Sequence, residues 1–451
     1  MTETFVPGDR VEAATREQYA SWMQHGISLA ETLTAETPDD SWPQPPDAAV
    51  DWAAWPPGEV ADSRIDEALA QGWLVAAVER SGDGLPMAVK DIIDVAGVPT
   101  HNGTPCAQHR EPTSSAPVWS ALERAGARCV GKAATHEMAW GITTPQIANP
   151  LDAHRIAGGS SGGSAACVAA GAATAALGTD TGGSVRVPAA LCGVVGFRPT
   201  TGSVSTAGVT PICPEQDVVG PIAADVRTCV AALERLLERP LTPADPDPLH
   251  GVRVGVLARP GRLDPCVEHA YGAALETLVR AGATLVECET KLPRTAASVS
   301  LLTMLRSSAL LHAESVREAP TAYGSEARAL LTLGTPLAAH GELVERARRS
   351  VAAATATLFR QERLDAFITP TTPCTAPRRG VETTDVGGRA EPVSAALVRY
   401  TGWAPVTAMP AVSVPVGAGR LPVGVQVMAP PHHEATCVRL ALALERSPAA
   451  R

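Results

Sequence analysis

Between Gly158 and Pro188 the chain reads GGSSGGSAACVAAGAATAALGTDTGGSVRVP, and this stretch limits the fold more than any other. Two glycine-rich turns flank a run of Ala, Gly, Ser and Val. The run over 163–176 is predicted as a helix buried on all sides and packed closely on a sheet. Glycine tolerates φ > 0 and lets other groups approach the backbone. Such a turn aims several N–H groups at one point, which is what a developing oxyanion needs. Each turn also sets serines among its glycines: Ser160 and Ser161 in the first, Ser184 in the second. The segment supplies a candidate nucleophile and a candidate oxyanion hole, but no base.

Composition narrows the search for that base. Of 37 Lys and Arg residues only Lys90, Lys132 and Lys291 are lysines. Arginine stays protonated in proteins, so a lysine kept against this bias draws notice. Lys90 ends LPMAVK, an apolar run that reads as a buried strand. Burial there lowers the ammonium pKa and makes a base near neutral pH. Two readings stay open from the residues alone: such a base, or a lysine paired with Asp91 or Asp94 that does no chemistry.

Along the chain, short apolar runs alternate with helical patterns, as in VWSALERAGA followed by RCVGKA. This alternation predicts an α/β layered fold. A helix carrying Tyr19, Trp22, Leu29 and Leu33 is expected over 11–35, and a second at about 62–71. Between them lies SWPQPPDAAVDWAAWPPGE, expected as an ordered loop because Trp42, Trp52 and Trp55 favour burial. The later part offers RVGVL, a helix near 265–282, helices near 296–318 and 340–363, strands at DAFIT, AVSVPV and VGVQVM, and a last helix at about 434–446. Residues 1–75 are read as a helical region and loop packed on the core. Residues 76–451 form the main domain, with an insertion or lobe boundary near 240–250, where PLTPADPDP shifts the composition.

Several function classes are disfavoured. The formal net charge is −10 with no basic patch, which argues against nucleic acid or an anionic membrane as partner. No apolar run reaches about 18 residues, and the first residues lack the pattern of a secretory signal. Ten scattered cysteines without a CxxC read as reduced, buried thiols of a cytoplasmic protein. His136–Glu137 opens HEMAW, but Trp140 stands where a zinc helix needs its second histidine. His432–His433–Glu434 reads as a solvated turn, and Cys213 as structural. No metal site and no nucleotide loop is expected.

The ordered set VKDIIDVAGVPT, Asn149–Pro150, GGSSGGSAA, GTDTGGSVRVPAALCGVVGFRPTTG and DVVGPIA resembles the amidase signature family. The match runs from about Leu85 to Pro221 and continues more weakly through DAFITPTTP, PAVSVPVG and LPVGVQVM. The resemblance implies one large domain with a mixed, mostly parallel sheet flanked by helices. It implies Ser184 as acyl-forming nucleophile, Ser160 as bridging serine after a cis peptide bond, and Lys90 as general base. It also implies an oxyanion hole from the N–H groups of Thr181, Gly182, Gly183 and Ser184, with Ser161, Asp180 and Arg186 in support. KAATHEMAWGIT matches a segment that lines the acyl pocket, which makes Met138 and Trp140 candidate walls, with core packing as the other reading. Two departures concern the substrate mouth: the irregular N-terminal region, and Pro405-Val-Thr-Ala408 where the family has Asn-x-x-Gly.

The implied activity is cofactor-free hydrolysis of a small-molecule amide. The wording of the second turn is closest to the branch acting on arylacetamides such as indoleacetamide and mandelamide. An amidotransferase subunit or acyltransferase of the same family is the alternative, and a homodimer is left open. A non-catalytic scaffold is disfavoured because Lys90, Ser160 and Ser184 are all present.

Overall fold

The computed structural model describes residues 7–33, 42, 50–51, 55, 58–78, 83–104, 110–243, 249–417 and 419–446. Trp52 and residues 244–248 lie outside them. Eleven strands share one sheet: β1 (Leu74–Ala77), β2 (Leu85–Lys90), β3 (Ala127–Ala133), β4 (Ala175–Asp180), β5 (Val195–Arg198), β6 (Val218–Ala223), β7 (Arg253–Leu257), β8 (Thr284–Cys288), β9 (Ala366–Pro370), β10 (Ala411–Val416) and β11 (Val423–Met428). Their spatial order is β8-β7-β9-β11-β10-β5-β6-β4-β2-β3-β1. Helices flank this sheet, as α/β alternation requires.

The sheet is mixed, but less parallel than expected. Strand β2 runs parallel to β3 and β4, and β7 runs parallel to β8 and β9. The other six junctions are antiparallel. Connection length explains part of this. A parallel pair needs a crossover of about a dozen residues or more. The helix Pro265–Arg280 supplies one between β7 and β8. Strands β10 and β11 are joined by a short turn and form a hairpin.

Strand β2 is buried along its whole length, which is why LPMAVK reads as a continuous run and not as an alternation. The helix over Val226–Leu237 shows the opposite, amphipathic pattern, burying Cys229, Val230, Leu233 and Leu236. Asp225 caps it by accepting from the Thr228 N–H at 2.8 Å.

The N-terminal helix α1 spans Pro7–Thr32 and packs against α3 (Leu292–Glu318), α4 (Ser325–Gly334) and α5 (Gly341–Glu362); α2 is the small-residue helix Gly162–Ala169. Helix α2 is shorter than predicted. The chain turns at Gly171, whose φ is +71°, and Ala175–Ala176 already belong to β4. Trp42 packs edge-on to Phe359, and the Trp55 indole donates to the Ala125 carbonyl under the Arg235 guanidinium. The 432–434 turn is solvated only at His432; His433 and Glu434 are buried, against expectation. Glu434 is fully buried because its carboxylate accepts from the Thr200 N–H at 3.0 Å and hydroxyl at 2.5 Å, and meets Arg239.

Candidate active site

Strands β2 and β4 lie side by side and parallel, with Val89 opposite Leu177. Their carboxyl ends therefore finish together, at Lys90 and Asp180. Open α/β sheets place their sites at such strand ends. Lys90 is fully buried, and its ammonium nitrogen stands 2.7 Å from both the Ser160 hydroxyl and the Thr179 hydroxyl. Burial lowers its pKa to about 7, against the opposing pull of Asp180 and Asp217. The neutral amine is thus accessible near physiological pH, and it faces a serine.

Ser160 follows a cis peptide bond at Gly159. Its carbonyl accepts from the His136 N–H at 3.1 Å. Ser161 joins the two serine turns. Its N–H donates to the Ser184 carbonyl at 3.3 Å, and its hydroxyl bridges the Thr179 backbone at 3.2 Å on both sides.

The second turn is fixed by a buried carboxylate. Asp180 accepts from the N–H groups of Gly183 at 3.0 Å and Val185 at 3.3 Å. Arg186 grips it through two nitrogens at 2.9 Å each, and Arg198 approaches to 3.2 Å. Burial alone would raise its pKa, but the two guanidinium groups outweigh that and hold it near 2. Arg186 also reaches Gln426 at 2.8 Å and the Thr401 carbonyl at 2.9 Å, and so ties the turn to β11. Gly183 has φ of +134°, and a Cβ there would meet the Thr401 hydroxyl at 2.3 Å. Only glycine fits.

This arrangement occupies one of the expected donors. The Gly183 N–H is already engaged by Asp180. Among the described residues, the backbone N–H groups of Thr181, Gly182 and Ser184 meet no acceptor. The Thr181 hydroxyl is spent on buried Asp217 at 2.6 Å.

Ser184 opens into a cavity of about 60 Å³. Its walls come from Ala139–Ile142, the 394–402 segment, α3 and the Tyr19–Trp22 turn of α1. Trp140 lines it, as expected, but Met138 does not. Met138 has φ of +50°, its N–H is held by the Asn102 carbonyl at 2.7 Å, and its side chain joins the main core. Ala139 at +58° and Thr144 at +47° are also left-handed, so this wall holds backbone strain of the kind that collects at functional sites.

His136 and Glu137 fasten the cover. The Thr144 N–H donates to His136 Nδ1 at 3.3 Å, which leaves the ring proton on Nε2, 3.2 Å from Glu326. Glu137 accepts from the Gly324 N–H at 2.8 Å. Both contacts clamp the start of α4, which packs on α1. Among the described residues no group of three His, Cys, Asp or Glu side chains is placed to hold a metal ion. No described helix is long and apolar enough to cross a membrane. Burial pushes the Cys213 thiol well above its ordinary range, which leaves it unreactive.

Sequence reasoning missed Thr179, Arg198, Thr401 and Gln426. Arg198 carried a usable signal, a cation ending the apolar run VVGFR, the same argument that exposed Lys90.

The matched family is the amidases, over residues 79–438, and the chain belongs to it. It is 34% identical over 441 residues to the A-type subunit of the glutamyl-tRNA(Gln) amidotransferase of Koribacter versatilis, covering 85% of this chain and 90% of the relative. It is 37% identical over 354 residues to an amidase of Pseudomonas putida, covering 74% and 75%. Among solved structures it resembles a crystal structure of an amidase, at 29% identity and a TM-score of 0.75 over 86% of this chain and 96% of the other. It also resembles the corresponding A-type amidotransferase subunit of Thermotoga maritima, at 27% identity and a TM-score of 0.73 over 86% and 91%.

Proposed function

We propose that the chain is an amidase that hydrolyses an uncharged carboxamide of a small molecule through an acyl-enzyme on Ser184. Neutral Lys90 accepts the Ser160 proton, and Ser160 accepts the Ser184 proton as its oxygen attacks the carbonyl carbon. The N–H groups of Thr181, Gly182 and Ser184 receive the oxyanion. The C–N bond then breaks, and the relay returns the proton to the leaving amine or ammonia. Water, deprotonated by the same relay, releases the carboxylic acid and restores Ser184.

The observation that carries the substrate class is the cavity wall. Tyr19, Trp22, Trp140, Ile142, Leu301 and Met304 dominate it, and among the described residues no Asp, Glu, Lys, Arg or His lines it. Glutamine would bring an ammonium and a carboxylate into this space, and charges desolvated without partners are strongly disfavoured. The second reading is an amidotransferase subunit that draws ammonia from an amide, and it is favoured by the Koribacter versatilis and Thermotoga maritima relatives. The nine described cysteines are all free thiols, which supports a reducing, cytoplasmic setting.

The test is turnover by the isolated chain of phenylacetamide, butyramide and glutamine, with Ser184→Ala as control. Phenylacetamide or butyramide turnover that vanishes in the variant supports the proposal. Release of ammonia from glutamine alone contradicts it.

A further inference from the structure

The polar side chains of the acyl cavity are nearly all spent on the protein itself. The Ser300 hydroxyl donates to Gln216 at 2.8 Å. The Tyr19 and Ser394 hydroxyls bond one another. Ser184 belongs to the relay, and Trp22 is half-buried and stacks on Tyr19. Trp140 differs from all of these. It is 3% exposed, and its indole N–H is buried with no acceptor among the described residues. Its backbone is fixed on the cavity wall, with the N–H donating to the Glu137 carbonyl at 2.8 Å and Gly141 following at φ of +124°.

A buried donor left without an acceptor is unfavourable, and native proteins seldom leave one in place without a purpose. Trp140 is one of the residues lining the space where the acyl group must lie, and its closed-off indole N–H lies behind that wall. The reacting carbonyl is already served by the turn at Thr181–Ser184, so the indole is available to another part of the substrate.

We propose that Trp140 is a specificity-determining residue that donates its indole N–H to an acceptor on the acyl group. This rests on the reading of Ser184 as the acyl site of an uncharged amide. The preferred substrates are then carboxamides whose acyl portion carries an ether oxygen or a ring nitrogen. A plain hydrocarbon acyl group leaves the indole unpaired.

The test uses isosteric pairs: phenoxyacetamide against 3-phenylpropanamide, and the three pyridylacetamides against phenylacetamide. In the wild type at least one acceptor-bearing amide exceeds its carbon partner by about tenfold in kcat/KM. Trp140→Phe keeps an aromatic wall and removes the donor, so that ratio falls to about one, whatever change the two members share. A ratio near one for every pair in the wild type, or an advantage that survives Trp140→Phe, overturns the assignment. A second readout does not depend on turnover. In Ser184→Ala labelled with ¹⁵N-indole tryptophan, the resonance missing from the Trp140→Phe double variant identifies the group. Saturating acceptor-bearing amide moves it downfield, and the carbon isostere does not. If no amide is hydrolysed yet the resonance moves, hydrolysis fails and the Trp140 assignment stands. If the resonance stays still with every amide, the assignment fails even where turnover persists.

Discussion

The two sides of the Ser184 site are held by different forces. On the sheet side, Lys90, Ser160, Asp180 and Arg186 are fully buried and fixed by hydrogen bonds at 2.7–3.0 Å to strand ends. On the cover side, Tyr19, Trp22, Leu301 and Val398 meet the cavity through apolar contact. The described tethers of that cover at α4 are a few, such as His136 to Glu326 at 3.2 Å and Glu137 to Gly324 at 2.8 Å. A buried ionic network has one geometry, whereas apolar contact tolerates exchange of shape. On the proposed reading the sheet side fixes the reaction, and the cover selects the acyl group.

The largest expected effect lies on the sheet side. Ser184→Ala should lower turnover by on the order of a millionfold, because the acyl acceptor is gone. A fluorophosphonate should label the wild type at Ser184 and leave the variant unlabelled. Persistent labelling of the same peptide would move the nucleophile elsewhere.

Lys90→Arg comes next, with a loss of about 10²–10⁴-fold, since guanidinium cannot accept the relay proton. The sign of the pH effect follows from the lowered pKa. The base is the neutral amine, so kcat/KM of the wild type should rise through pH of about 7 and level above it. A profile flat from pH 6 to 9 would remove Lys90 from the relay.

Asp180→Asn strikes the network and not the relay. It leaves Arg186 and Arg198 buried without their carboxylate, and should cost roughly 3–5 kcal/mol in urea unfolding. A loss under about 1 kcal/mol would show that Gln426 and the backbone carbonyls already satisfy the guanidinium groups.

The smallest effect belongs to the cover. Glu326→Ala cuts the tether to His136 at a partly exposed site, and should raise KM roughly two- to fivefold for bulky acyl groups while kcat holds. Equal losses for acetamide and phenylacetamide would erase the distinction between the two sides.

The same division governs how much the sequence disclosed. Lys90, Ser160 and Ser184 stood out because the chemistry proposed for them needs specific residue types inside short motifs. Thr179 and Thr401 were not, because threonines are common and their roles come from neighbours far along the chain. Trp140 and Met138 stand two residues apart in one motif, yet only one reaches the cavity. The left-handed turn at Met138 and Ala139 decides that, and nothing in HEMAW announces it. The strand directions were also misjudged, since the motifs mark strands but not which strands become neighbours. Helix α4 escaped notice, although it carries Glu326. Ala408 takes φ of +58° where the resembled pattern ends in glycine, the residue that adopts this conformation most freely.

The most direct test is a competition on one nucleophile. The isolated chain is mixed with equal concentrations of glutamine and phenoxyacetamide, quenched with acid within one turnover, and weighed intact. The predicted result is a phenoxyacetyl adduct that maps to Ser184 and forms at pH 8 but far less at pH 5. A glutamyl adduct in its place, or an adduct on any other residue, would contradict the assignment of this site to uncharged amides.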